Sequence, residues 1–297
     1  MSETAKRSMS RRDWLNVAVG ALAGGGVVSA TFPNPPIAEE GPAREHPAAP
    51  APGPQRKDWR SEEFGKMVAL GESTTAGGWS TSPERCWVPV LASLINDFQA
   101  SPMEFFNAGI GANVISTRGP GYEKSGKPAA LDRLDKHVLA HEPDLLIVSY
   151  GLNDARSGTP LPHFREDLTT LVRRVREHIQ PVIVLLGPYY MTGFDLYGPL
   201  WSQADLGLFR QYNEAIKEVA ASQSCLFVDL LAGYGDTDWM IHEDQVHAND
   251  LGHRIVAHRV FEVLAQSCSG LAKKTKAAEK TSPRWRHESV LKADYGH

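Results

Sequence analysis

The chain of 297 residues has only three cysteines, Cys86, Cys225 and Cys268. That is too few for a disulfide framework, and their spacing matches no metal-ligand pattern. It has no run of about 20 continuous apolar residues, so no segment reads as a membrane span. It has no excess of positive charge. Lys and Arg number 31 against 35 Asp and Glu, for a net charge of −4 and a pI near 6.3, and nothing in that balance points to nucleic acid. No internal repeat is visible. What remains is ordinary globular composition, 42% hydrophobic and 22% charged. A single core of about 200 residues buries roughly 70% or more of its unfolded surface, so neither a metal nor a disulfide is needed to hold it.

The first thirty residues read as an export signal. Ser10-Arg11-Arg12-Asp13-Trp14-Leu15 resembles the twin-arginine motif, with an aromatic residue and Leu after the arginine pair. A Gly-rich apolar stretch follows from Leu15 to Ala30, and Val28-Ser29-Ala30 offers short side chains to a signal peptidase. The alternative is a chance Arg pair ahead of a short core helix. On the export reading the chain engages the twin-arginine machinery, works in the periplasm or outside the cell, and keeps no stable membrane span after processing. Residues 31–58 hold eight prolines and many alanines. Such a stretch cannot bury enough apolar surface to order itself, which predicts a linker. From Leu271 the chain is Lys/Arg-rich and aperiodic, which predicts a flexible basic tail over 271–297. The folded domain is expected over 59–270.

Within that domain, short apolar runs alternate with helical patterns. The runs are Met67–Leu70, Glu104–Asn107, Leu145–Tyr150, Val182–Leu186 and Leu226–Leu230. Helical stripes are Trp87, Leu91, Leu94 and Phe98; Leu131, Leu134 and Val138; a stripe from Leu161 through Leu168 and Val175 to Ile179; Phe209, Tyr212, Ile216 and Val219; and Ile255 to Leu264. Unbroken apolar strands separated by helices predict an α/β fold. Its five-stranded parallel sheet is covered on both faces, a three-layer α/β/α sandwich.

Sites in such sheets form just past the carboxyl ends of strands. Four polar fragments fall there: Gly71-Glu72-Ser73, Asn107-Ala108-Gly109-Ile110-Gly111-Ala112-Asn113, Gly151-Leu152-Asn153-Asp154, and, before the last helix, Asp244-Gln245-Val246-His247. Each alone is weak, but together they supply what acyl transfer requires. A serine hydroxyl needs a base to take its proton, and His247 fits that role for Ser73. An imidazole needs its tautomer fixed and its charge stabilised, which Asp244 can do from three residues away. The tetrahedral intermediate needs preorganised donors for its oxyanion, available from Asn153 and from backbone N–H groups at Ser73, Gly111 and Ala112.

In this order the fragments resemble the four blocks of the SGNH (GDSL-type) hydrolase superfamily, over residues 64–265. The family's Ser, Gly, Asn and His map onto Ser73, the Gly109–Ala112 turn, Asn153 and His247, and its Asp maps onto Asp244. The resemblance implies a flavodoxin-like sheet and cofactor-free hydrolysis of esters. The Gly-x-Ser-x-Gly elbow of α/β-hydrolases is absent around Ser73. Two departures stand out. The first block reads Gly-Glu-Ser where the family has Gly-Asp-Ser, and counting from Asn107 puts the family's oxyanion glycine on Ala112, so either Gly111 or Ala112 supplies that N–H.

Plainer readings exist for each piece: Ser73 as a helix cap, Asn153-Asp154 as an Asx-turn, His247 as a loop histidine with Asn249 capping the final helix. Their joint order favours the catalytic reading. His137 and His141, four apart, lack an evident third zinc ligand, and no metal is expected. Cys86 reads as core, and Glu166-Asp167 as a solvated helix face. The expected activity is hydrolysis of small-molecule or carbohydrate esters, including O-acetyl groups. An O-acyltransferase using the same site, or a non-catalytic binding module on the same fold, are the alternatives. The segment from Tyr189 to Trp201 follows the fourth strand and is expected to wall the substrate site, with Tyr189, Tyr190, Tyr197 and Trp201 as candidate contacts. Cys225 precedes the fifth strand and Cys268 ends the antiparallel last helix, so both belong to the sheet's amino edge. A disulfide between them is expected if the compartment is oxidising; the alternative is three reduced thiols.

Overall fold

The computed structural model describes residues 57–282. The export-type segment 1–30, nearly all of the linker 31–58 and the end of the basic tail lie outside the described residues. The five apolar runs form strands β1 (Lys66–Gly71), β2 (Glu104–Gly109), β3 (Leu145–Ser149), β4 (Val182–Leu186) and β5 (Leu226–Val228). They make one sheet in the order β2-β1-β3-β4-β5, parallel throughout. The side chains of β3 and β4 are buried along their whole length, which is why those strands read as continuous apolar runs rather than alternating ones. β5 is shorter than expected because Asp229 ends it, its carboxylate capping the next turn through Ala232 N–H.

The long helices are α1 (Trp87–Phe98), α2 (Leu161–Arg176), α3 (Leu206–Ser222) and α4 (Asp250–Ser267). Crossovers between parallel strands are right-handed. The step from β1 to β2 runs one way across the sheet, while the steps β3 to β4 and β4 to β5 run the other way. Helix α1 is therefore set on one face, α2 and α3 on the opposite face, and α4 packs beside α1. The result is a three-layer α/β/α sandwich. Asp205 caps α3 and Asn249 caps α4 with side-chain oxygens that accept backbone N–H groups. The stripe at Leu131, Leu134 and Val138 does not form one helix. It breaks into two 3₁₀ turns, Leu131–Arg133 and Leu139–His141, around a single α turn. The bend lets Arg133 turn inward, as described below.

The strand order reverses direction between β1 and β3, and at such a switch point the loops leaving the two carboxyl ends diverge and open a crevice. Two glycines shape it. Gly109 lies so close to the turn after β1 that a Cβ would stand 2.1 Å from Ala76 N. Gly151, just after β3, has φ +123, a conformation that L side chains rarely adopt.

Three expectations are corrected. Cys225 and Cys268 are not bridged: all three cysteines are free and buried. Cys225 Sγ lies 3.7 Å from the Arg176 guanidinium, while Cys268 ends α4 next to the Asp58–Arg60 segment, bonded through Ser267 O and Ser269. Burial pushes the Cys225 and Cys268 thiols up to about 11 and about 12. The basic tail does not begin as flexible chain at Leu271. A 3₁₀ turn over Ser269–Ala272 and a helix over Lys273–Glu279 continue the fold, with Leu271 buried and Lys273 paired to Glu62 at 2.8 Å. Finally, Asp167 is not on a solvated face. It is buried against Ser116 Oγ at 2.5 Å and Arg118 Nη2 at 2.6 Å, while its neighbour Glu166 is exposed.

Candidate active site

The site assembles where the strands end. After Gly71 the chain makes a single helical turn, Ser73–Ala76, closed by Gly77 at φ +80. A turn this abrupt holds Ser73 at the tip of β1, and its Oγ lies 2.9 Å from His247 Nε2. His247 arrives on the loop before α4. Ile241 and Ala248 form an antiparallel bridge across that loop, and Gln245 O accepts the N–H groups of Thr192 and Gly193. The loop is thus tied to the segment after β4. Asp244 Oδ2 takes the His247 Nδ1–H at 2.5 Å, and Asp244 Oδ1 accepts the backbone N–H groups of Val246 and His247, each at 3.1 Å. These bonds fix the imidazole tautomer with Nε2 free to accept a proton from Ser73.

The two ionisable members shift as this geometry requires. Burial holds the His247 imidazole below its ordinary value, outweighing the opposite pull of Asp244. Burial raises the Asp244 carboxyl, but the backbone N–H and the ring N–H of His247 outweigh it and hold the group below the usual carboxylate range. At neutral pH the pair is a neutral base backed by a carboxylate. The ring of Trp79 lies against the imidazole and shields it from water.

Asn153 is the second residue of the turn Leu152–Arg156 after β3. Its Nδ2 donates to Asn113 O at 3.1 Å, and its own N–H is held by Glu72 Oε2 at 3.1 Å. The Glu72 carboxylate, where the family has Asp, is thus a buried brace between the first and third loops. Burial and the neighbouring Asp154 raise its pKa well above the usual range. Asp154 is also buried, accepts the Ile115 N–H, and is pushed by burial to about 7. Ala112 adopts φ +55, the left-handed conformation in which glycine would be unstrained. It lines the cavity, whereas Gly111 turns its carbonyl to Lys127 Nζ at 2.6 Å.

Beneath these loops Arg133 is buried and joins three strand ends. It donates to Ala108 O at 2.7 Å, Gly71 O at 3.0 Å and Asn113 Oδ1 at 3.2 Å, and to the Tyr150 hydroxyl at 2.5 Å. Its Nη1 also lies 3.0 Å from His137 Nδ1. Among the described residues no group of three or more His, Cys, Asp or Glu side chains is arranged to hold a metal ion.

A cleft of about 170 Å³ opens over the serine, lined by Ser73, Trp79, Ala112, Asn153, Arg156, Tyr197, Trp201 and His247. The expected wall is present only in its second half. Tyr197 and Trp201 face the cleft, but Tyr189 and Tyr190 do not. Tyr189 is 1% exposed with its hydroxyl on Ser149 Oγ, and Tyr190 packs near Tyr234. The chain leaving β4 stays in the core through Met191 before it surfaces. Sequence patterning missed Trp79 and Arg156. Arg156 follows Asn153 by three residues on one helical turn, so both side chains share a face, and that spacing was the available signal. Trp79 gave no comparable signal beyond being an aromatic residue close after the serine.

Residues 69–255 match the model of the GDSL-like lipase/acylhydrolase family. An acetylxylan esterase of Geobacillus stearothermophilus is 26% identical over 140 residues, which is 42% of this chain and 61% of that protein, so the match spans less than two thirds of the relative's length. Among solved structures, a lipase/acylhydrolase from Enterococcus faecalis superposes with TM-score 0.54 at 23% identity, covering 68% of this chain and 96% of that one. The acetylxylan esterase structure from Geobacillus stearothermophilus superposes with TM-score 0.52 at 21% identity, covering 69% and 96%. At these identities the superpositions speak to the fold.

Proposed function

The chain belongs to the GDSL-like lipase/acylhydrolase family, and we propose that it is a serine ester hydrolase that removes small acyl groups from a carbohydrate or small-molecule ester. The observation that carries this reading is the unbroken line from Ser73 Oγ through His247 to Asp244, 2.9 Å and 2.5 Å long, at the floor of an open cleft. In the first half-reaction the Ser73 proton passes to His247 Nε2 while Oγ bonds the carbonyl carbon. The oxyanion is held by the N–H groups of Ser73 and Ala112 and by the Asn153 amide. Collapse breaks the bond to the alcohol oxygen, which takes the proton from His247 and leaves. Water repeats the sequence on the acyl-serine and releases the acid.

A small acyl group suits the methyl of Ala112 and the flat wall of Trp79 beside the nucleophile, and a relative of similar sequence is an acetylxylan esterase. The twin-arginine-like Arg11-Arg12 segment supports an extracytoplasmic setting for this work on the same reading. Assay of the purified protein on p-nitrophenyl acetate tests it. Ser73→Ala is expected to lower kcat by about 10³-fold or more with the fold intact, because members of such a set act as a unit. Undiminished turnover by that variant would overturn the assignment.

A further inference from the structure

The cleft carries a cation that the hydrolysis itself does not use. Arg156 is only 5% exposed and lines the cleft beside Ser73, Asn153 and His247. Its Nε donates to Trp201 O and one Nη2 proton to Leu196 O, each at 3.1 Å. These are neutral acceptors. Among the described residues no carboxylate lies within ion-pair distance of it, and Nη1 has no hydrogen-bond partner there. The two acids nearest in charge are otherwise engaged. Asp244 holds His247, and Glu72 is a buried carboxyl, pushed toward its neutral form, that accepts the Asn153 N–H. A second cation stands across the nucleophile. Lys127 Nζ is bonded to Gly111 O, and a side chain built on Gly111 would begin 3.9 Å from that ammonium and 4.0 Å from Ser73 Cβ.

The guanidinium also lies 5.5 Å from the centroid of the Tyr197 ring, a cation–π contact that offsets part of its desolvation cost; with no carboxylate beside it, an anion would complete it. Here the open side of the guanidinium faces the cleft, in a protein whose net charge is negative. The cleft beside it is walled by Tyr197 and Trp201, flat surfaces suited to a sugar ring. On the esterase reading, Ala112 and Trp79 line the cleft beside Ser73 and suit a small acyl group, which assigns the charge to the alcohol side. Resting on the esterase reading above, we propose that the substrate is an O-acylated acidic saccharide. Its ring lies on Trp201 and Tyr197, and its carboxylate is taken by Arg156. Arg156 is thereby a specificity-determining residue, and its two bonds to the 196–201 loop also hold the aromatic wall in place.

The test compares mono-O-acetyl glucuronate with its neutral uronamide, with p-nitrophenyl acetate as the neutral reference and a p-nitrophenyl succinate monoester as the acyl-side control. The expected result is a kcat/KM about tenfold or more in favour of the uronate, residing in KM, since a charge-assisted bond to a buried guanidinium discriminates by at least that factor. Arg156→Gln should abolish the preference, Arg156→Lys should restore part of it, and the fall on p-nitrophenyl acetate reports loop disturbance alone. Calorimetry on the Ser73→Ala protein should show the uronate binding tighter than the uronamide, a readout that survives even if turnover fails. Equal kcat/KM and equal binding for uronate and uronamide, in a protein that hydrolyses p-nitrophenyl acetate, would overturn the substrate class and leave the esterase reading standing. A preference for the succinate monoester without one for the uronate would also overturn it. Absence of turnover on every ester would overturn the esterase reading.

Discussion

The indole of Trp79 lies flat on the imidazole of His247, with ring centroids 3.3 Å apart and planes 5° from parallel. The contact removes water from one face of the proposed base and restricts the ring to the plane in which Nδ1 meets Asp244 and Nε2 meets Ser73. Burial is the leading cause of the lowered His247 pKa. Replacing the indole by a methyl group admits water and lets that value rise. For Trp79→Ala the acid limb of the kcat/KM profile is therefore expected to move to higher pH, because the base must be neutral to act. Profiles of the two proteins on a neutral ester decide the matter; an unmoved limb would refute the shielding role.

Asp154 gives a stability effect of known sign. Its folded pKa is raised to about 7, above the value of about 3.9 expected in an unfolded chain. Its contribution to stability is present in full below pH 4 and is lost as pH rises through 7, since the unfolded chain ionises first. Glu72, raised for the same reason, acts in the same direction. Asp154→Asn removes this dependence while keeping an acceptor for the Ile115 N–H. The Tm advantage of the variant over wild type should widen between pH 5 and pH 8, by about 2–4 °C for each kcal/mol involved. Parallel Tm curves would show that Asp154 ionises without penalty.

Arg133 is the fastener of the carboxyl edge. Arg133→Met keeps the apolar stem and removes four hydrogen bonds, to Gly71 O, Ala108 O, Asn113 Oδ1 and the Tyr150 hydroxyl, although the Ile110 N–H still reaches Gly71 O and the Tyr150 hydroxyl still reaches Asn113 Oδ1. Four buried hydrogen bonds from a charged donor, lost together, cost about 3 kcal/mol or more. A urea melt is expected to show a loss of that size. A loss under about 1 kcal/mol would mean that water replaces the guanidinium.

What could be read in advance follows from where physics leaves a trace in sequence. Interior parallel strands must be apolar on both faces, so Leu145–Ser149 and Val182–Leu186 stand out as runs. The loops at their carboxyl ends must hold the polar residues, so Ser73, Asn153, Asp244 and His247 could be picked out together; Ser73, Asn153 and His247 line one cleft and Asp244 is bonded to His247. Contacts made by a side chain reaching across the fold leave no local trace. Asp167 looks like any acid on a helix until Arg118 and Ser116 are found beside it, and Tyr189 looks like loop until its hydroxyl is found on Ser149. Cys225 and Cys268 fail for the same reason: their places in the chain suggest a pair, yet one thiol meets Arg176 and the other ends its helix beside the Asp58–Arg60 segment.

The last consequence comes from the amino edge of the sheet, opposite the cleft. There Asp58 takes the N–H and hydroxyl of Ser269, Trp59 N–H bonds Ser267 O at 2.8 Å, and Gly270 N–H bonds Arg60 O at 3.1 Å. The first turn of the described fold and the end of α4 are clasped side by side, so topologically the stretch between them is almost a ring with its seam behind the sheet. A ring can be reopened elsewhere: joined across that seam by a short peptide, the domain is suited to circular permutation. Cargo fused at either end would trail from the back and leave the mouth unobstructed.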